Sequence, residues 1–122
     1  MLKKQNRLKN KALFNKIYKL SNSSATNSLI LYIDKEKNDK NCPTRVGFVV
    51  SKKVHKRAVK RNRIKRLLRE NIRLMLKQNE FEQINKYQNL IFIARSNILD
   101  MNFKEINDAI LILFKKLANK LI

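Results

Sequence analysis

Lys52, Lys53, Lys56, Arg57, Lys60, Arg61, Arg63, Lys65, Arg66, Arg69, Arg73 and Lys77 place twelve of the chain's 29 basic side chains in one stretch with a single acid, Glu70. That stretch, residues 52–77, carries a net +11 of the chain's +20. Six of the nine arginines lie in it. A planar guanidinium grips phosphate through two N–H groups or stacks on a base, which an ammonium cannot do. At about 100° per residue, residues 57–77 read as a helix. Ile64, Leu67, Leu68, Ile72, Leu74 and Met75 share one side. Arg63, Lys65, Arg66, Arg69, Arg73 and Lys77 spread over the other, with Arg61 at the border. A charged face that only meets water usually interleaves Glu with Lys at i,i+4, and this one does not. The helix therefore buries one face and offers a partner a cationic face about 30 Å long, at ~1.5 Å per residue.

Other chemistries find little support. A metal-dependent nuclease needs clustered carboxylates or a general base near the scissile phosphate. The nine acids are scattered, Glu70 is expected to pair with a neighbouring Arg or Lys, and the single His55 has no evident helper. No catalytic or metal-ligating residue is assigned to the chain. The lone Cys42 excludes an internal disulfide and a Cys-rich zinc site, and it is expected as a free thiol in a reducing cytoplasm.

These side chains must be positioned by one domain, 1–122. The length, 122 residues, leaves no room for two ordinary domains, and 43% hydrophobic residues suffice for a packed core. No apolar run approaches the roughly 18 residues that span a bilayer. Met1–Arg7 is basic with no apolar stretch behind it, so no secretory signal is expected. Asn, Lys and Ile are abundant while Gly and Pro occur once each. An AT-rich genome would inflate Lys in this way, which makes Arg placement more informative than bulk charge.

The rest of the chain supplies a scaffold. Lys9–Leu20 reads as a helix with Leu13, Phe14, Ile17 and Tyr18 on one face, ended by Ser21-Asn22-Ser23-Ser24. Ser28–Asp34 and Arg45–Ser51 read as strands, with an exposed loop at 35–43 between them. Gly47 inside the second strand marks a bulge or a close backbone approach. A further short strand is expected around Lys52–His55. Leu90–Ala94 is the next strand. Residues 103–121 form the last helix, with Phe103, Ile106, Ile110, Leu113, Phe114, Leu117 and Leu121 toward the core. Asn102 and Glu105 stand at capping-box spacing before it. The expected order is helix, strand, strand, helix, strand, helix, an α+β sandwich with a small sheet.

The run Arg45-Val46-Gly47-Phe48-Val49-Val50-Ser51-Lys52-Lys53-Val54, followed by Arg61-Asn62-Arg63-Ile64-Lys65-Arg66-Leu67-Leu68-Arg69-Glu70, resembles the signature of the bacterial ribonuclease P protein subunit. The Arg-Asn-Arg-x-x-(Lys/Arg)-Arg core is that family's hallmark. Leu2-Lys3-Lys4-Gln5-Asn6-Arg7-Leu8, Phe14-Asn15-Lys16-Ile17-Tyr18 and Ile91-Phe92-Ile93-Ala94-Arg95 are similar to its N-terminus, first helix and last strand. The likeness runs from about residue 2 to 117. Many members carry Gly in the turn after Ser-Lys-Lys, where this chain has Val54-His55-Lys56-Arg57.

The resemblance implies a two-layer α+β sandwich, a small mixed sheet packed by three helices, with a left-handed βαβ crossover like that of a ribosomal protein S5 domain. The usual rule favours the right hand. It implies a cytoplasmic ribonucleoprotein that removes the 5′ leader of precursor tRNA by endonucleolytic cleavage. An RNA subunit with Mg²⁺ would do the chemistry, and the protein would bind no cofactor of its own. Lys52, Lys53, Arg61, Asn62, Arg63, Lys65, Arg66 and Arg69 are then expected to meet the RNA subunit. Phe14, Tyr18 and Tyr32 are expected to line a cleft for the single-stranded leader, since stacking on aromatics tolerates any base. Core packing competes for the same three rings.

Other binding modules fit less well. A helix-turn-helix needs a helix before Arg57, where the residues read as strand. RVGFVVS lacks the aromatic pattern of an RNA-recognition sheet. A membrane-surface helix would leave its apolar face free, and here a sheet requires it. A ribosomal protein remains open on composition, and a stand-alone nuclease lacks its acids.

Overall fold

The computed structural model describes residues 4–8, 11–19, 22–34, 43–78 and 86–120. The loop read over 35–43 lies outside them up to residue 42, as does Leu121. The elements are α1 (Lys11–Lys19), β1 (Asn22–Ala25), β2 (Leu29–Ile33), β3 (Arg45–Val49), α2 (Ala58–Gln78), β4 (Asn89–Ala94) and α3 (Phe103–Lys120), with 3₁₀ turns at Lys4–Asn6 and Ser96–Asp100. They build one four-stranded mixed sheet in the order β1-β2-β4-β3. β2 pairs antiparallel with β1 and β4. β3 and β4 are parallel neighbours, so a crossover must join them, and α2 lies within it. On the free edge of β3, Arg7 bridges to Val46 and the Leu8 N–H donates to the Val46 carbonyl at 3.0 Å.

Two sequence expectations need correction. Ser21–Ser24 does not simply end α1, because Asn22–Ala25 is a strand. Three of its four residues are polar, and its place is fixed from outside. The Leu29 N–H donates to Thr26 Oγ1 at 3.1 Å, and the Thr26 N–H donates to the Leu29 carbonyl at 2.8 Å, closing the hairpin. Ser24 Oγ then donates to the Leu113 carbonyl, and Lys116 Nζ to the Ala25 carbonyl, tying β1 to α3. The second correction concerns Lys52–His55, which is not a strand. The Val54 N–H returns to the Ser51 carbonyl at 3.0 Å, and this turn redirects the chain from β3 toward α2.

Alternation along the strands gives the sheet two apolar faces. Leu29, Leu31 and Ile33 of β2, Val46 of β3 and Leu90, Phe92 and Ala94 of β4 point to the main core. α2 covers them with Ile64, Leu68, Ile72 and Met75, and α3 with Ile106, Ile110, Leu113, Phe114 and Leu117. Phe92 stacks on Phe48 with centroids 6.0 Å apart and meets Phe114 edge-on at 6.3 Å. Burying such a side chain contributes roughly 1.5–3 kcal/mol. Phe103, expected in this set, opens α3 and is 37% exposed. The capping box forms as expected. The Glu105 N–H donates to Asn102 Oδ1 at 2.9 Å, and the Asn102 N–H donates to Glu105 Oε1 at 3.2 Å.

One polar residue joins the two long helices. Asn71 is fully buried on the inner face of α2. Its Nδ2 donates to the Leu67 carbonyl at 2.9 Å and toward the Phe103 carbonyl at 3.4 Å, while Asn107 Nδ2 donates to its Oδ1 at 3.0 Å. Asn71→Ala strips Asn107 of this acceptor inside the α2–α3 seam. The expected loss is about 1–3 kcal/mol of stability, read as a lower urea midpoint. An unchanged midpoint shows that the seam does not depend on the amide.

Candidate RNA-binding surfaces

The basic surface begins in the turn between β3 and α2. Lys52 and Lys53 are exposed there, while Val54 between them and the helix is buried. The turn is held from within α2. Arg61 Nη1 donates to the carbonyls of His55 at 2.9 Å and Lys56 at 2.8 Å. The Arg57 N–H donates to His55 Nδ1 at 3.0 Å. Arg61 is half-buried, so its guanidinium works at least partly as a brace for the backbone. The sequence put Arg61 at the border of the cationic face but carried no sign of those two carbonyls.

Along α2 the division into two faces holds. Ile64, Leu68, Ile72 and Met75 turn inward, and Asn62, Arg63, Arg66 and Arg69 are exposed on the far side, with Lys65 half-buried between them. Arg63 Nη1 also reaches the Leu99 carbonyl at 3.4 Å. Arg73 behaves differently from the other arginines. It makes a two-pronged bond to Glu70, Nη2 to Oε1 at 2.5 Å and Nε to Oε2 at 3.1 Å. That bond holds the Glu70 carboxyl below its ordinary range and pushes the Arg73 guanidinium up. Six of the eight expected RNA-subunit contacts therefore stand exposed in one continuous turn-and-helix surface. Glu70→Gln frees Arg73 and removes a negative charge. If Arg73 faces RNA, the slope of log affinity against log salt should steepen by about 0.7–0.9, measured by filter binding over a KCl series. An unchanged slope places Arg73 off the RNA.

The second candidate lies on the other face of the sheet, which α1 covers only in part. Leu8, Ile17 and Ile91 are buried there, and Leu13, Phe14, Tyr18, Tyr32, Val49 and Ile93 pack around them half-exposed. The three expected rings come together. Phe14 and Tyr18 lie 6.4 Å apart, and Tyr18 meets Tyr32 edge-on at 5.0 Å. Burial pushes the Tyr18 phenol up, and Tyr32 adds to this. Of the apolar residues on α1, Ile17 is wholly core, while the rings stand at the rim with part of each surface open.

Beyond the rings the same face runs on through Ile30 and Ile93 into an open pocket of about 550 Å³. Ser51, Lys53, Arg95, Ser96 and Asn97 are among its lining residues. Arg95 Nη1 donates to the Thr26 carbonyl at 2.9 Å. Sequence reasoning missed Arg95, Ser96 and Asn97, although a basic residue just past the end of β4 is a readable signal. Among the described residues, no three of His, Cys, Asp and Glu gather as metal ligands. No described helix is long and apolar enough to cross a membrane.

Comparison with known proteins points one way. The ribonuclease P family model matches residues 2–118. The ribonuclease P protein component of Alkaliphilus oremlandii is 42% identical over 116 residues, covering 95% of this chain and 94% of that protein. The protein component of Clostridioides difficile is 42% identical over 109 residues, 89% of each. Among solved structures, the Staphylococcus aureus RNase P protein superposes with a TM-score of 0.73 at 32% identity, over 92% of this chain and 94% of that one. The Thermotoga maritima RNase P protein, at 24% identity and a TM-score of 0.71, covers 90% of this chain and 96% of its own. That likeness shows the fold.

Proposed function

The chain belongs to the ribonuclease P protein family, whose role lies in tRNA 5′ processing with an RNA subunit, and on that premise we propose how its two surfaces divide the work. Lys52, Lys53, Asn62, Arg63, Lys65, Arg66 and Arg69 bind phosphates of the RNA subunit, with Arg61 shaping the turn between them. The cleft of Phe14, Tyr18 and Tyr32 takes the single-stranded 5′ leader of precursor tRNA. The RNA subunit, with Mg²⁺, performs the endonucleolytic cleavage in the cytoplasm, and the protein holds the substrate and broadens the range of leaders accepted. The carrying observation is the exposed Asn62-Arg63-Arg66-Arg69 face on a helix whose opposite face is core. Several described carboxylates already have protein partners: Asp34 holds Asn89, Glu70 holds Arg73, and Glu105 caps α3. The proposal leaves Mg²⁺ to the RNA subunit.

The deciding experiment is reconstitution. The protein is added to a bacterial ribonuclease P RNA at low millimolar Mg²⁺, and mature 5′-end formation is followed. Faster formation than with RNA alone is expected. No enhancement at any salt concentration rejects the proposal, and cleavage by the protein alone rejects its non-catalytic role.

A further inference from the structure

Gly47, the only glycine in the chain, lies on the α1 side of β3, paired with Ile91. Its backbone needs no special conformation for a strand, so the reason for glycine must be space. A Cβ built there would overlap Phe14 Cζ and lie 2.9 Å from Cε1 and 3.4 Å from Cε2. These are the three atoms at the tip of the ring. Phe14 is therefore seated tip-down over the Gly47 Cα. Ordinary carbon–carbon contact is about 3.5–4.0 Å, so any side chain at 47 must lift the ring. The ring cannot easily step aside, because χ1 on a helix is restricted and α1 is pinned by Ile17, which is 1% exposed.

We propose that Gly47 is a positioning residue for leader binding: the missing side chain is a seat that sets the height of the Phe14 ring at the head of the Phe14–Tyr18–Tyr32 row. This rests on the leader reading above. With the ring seated, the open floor formed by Val49, Ile93 and Ile30 continues from the row toward the pocket at the end of β4. With the ring lifted, its height over the sheet and its spacing to Tyr18 change.

The test measures affinity for precursor tRNA with a long leader and for mature tRNA, in the reconstituted holoenzyme, and takes their ratio. Gly47→Ala should lower the ratio by about fivefold or more, a stacking-sized loss, and leave mature tRNA binding unchanged. Phe14→Tyr is the sharper variant. It keeps an aromatic surface, but its hydroxyl extends from Cζ into the seat, so it should lose leader discrimination as Gly47→Ala does. A plain stacking platform would accept Tyr at full affinity, and that outcome overturns the seat. Phe14→Leu removes the ring tip, so in that background Gly47→Ala should cost nothing further. Equal losses in both backgrounds show that Gly47 does not act through Phe14 and overturn the proposal. If Phe14→Ala itself leaves the ratio at the wild-type value, the leader reading fails and the seat's role fails with it. A lowered ratio for Phe14→Ala with unchanged ratios for Gly47→Ala and Phe14→Tyr rejects the seat alone.

Discussion

Replacing Arg63, Arg66 and Arg69 together with Gln should weaken binding to the RNA subunit by about a hundredfold near 0.1 M salt and flatten its salt dependence by roughly two to three units of slope, if each contributes the ~0.7–0.9 of one neutralised phosphate. The three side chains are exposed on the outer face of α2. Gln keeps much of the aliphatic stem and has a helix propensity close to that of Arg, so the core under the helix stays intact. Arg61→Gln gives the contrast. Its Nη1 braces the carbonyls of His55 and Lys56, so its loss should lower stability and disturb the turn while flattening the slope by less than any outer arginine does. A triple Arg→Lys variant separates charge from shape. If charge alone matters, affinity and slope both survive. If the guanidinium fork matters, the slope survives and affinity falls. A triple Gln variant with the wild-type slope would show that the outer face of α2 does not meet phosphate.

The contrast between Arg61 and its neighbours also shows where the sequence stops being readable. Periodicity placed Ile64, Leu68, Ile72 and Met75 inward and Arg63, Arg66 and Arg69 outward, because burial has a period and α2 keeps it over its whole length. The same logic exposed Glu70 as a partner for a neighbouring base, since it is the one acid in the run. Asn71 broke the pattern. A buried amide has no periodic signature, and its partners, the Phe103 carbonyl and Asn107, are more than thirty residues away. Strand β1 was missed for a related reason. Asn-Ser-Ser-Ala has no strand preference of its own, and its pairing is imposed by the Thr26 hairpin and by bonds from Ser24 and Lys116 that link it to α3. The turn after β3 reads as a short strand over Lys52–His55 because Lys-Lys-Val-His lacks Gly and Pro. Its geometry comes from an arginine one turn into the next helix. The aromatic cleft was half legible. The spacing of Phe14, Ile17 and Tyr18 identified a buried face, but only the tertiary arrangement divides Ile17 in the core from the two rings at the rim.

That division makes the second large effect a test of the cleft itself. Phe14→Ala combined with Tyr32→Ala removes the two ends of the ring row and leaves Tyr18 between them. Base–aromatic stacking is worth ~1–3 kcal/mol per base, so the preference for leader-bearing precursor over mature tRNA should fall by about thirtyfold or more if each ring carries one base. Leaders of different sequence should lose about equally, because every base presents a π face. The loss should also be nearly independent of salt, since no phosphate contact is removed. This signature is opposite to that of the α2 arginines, whose loss flattens the salt slope and weakens RNA-subunit binding. Both rings are half-buried against Leu8, Ile17 and Ile91, so the double variant also loses stability, and binding must be compared well below its melting temperature. The ratio of the two tRNA affinities cancels any inactive fraction, because unfolded protein binds neither. A variant that is less stable yet keeps the full preference for leader would assign the rings to packing. A variant that loses the preference at every salt concentration, with mature tRNA still bound, would assign them to the leader, because no loss of folded protein or of phosphate contacts produces that combination.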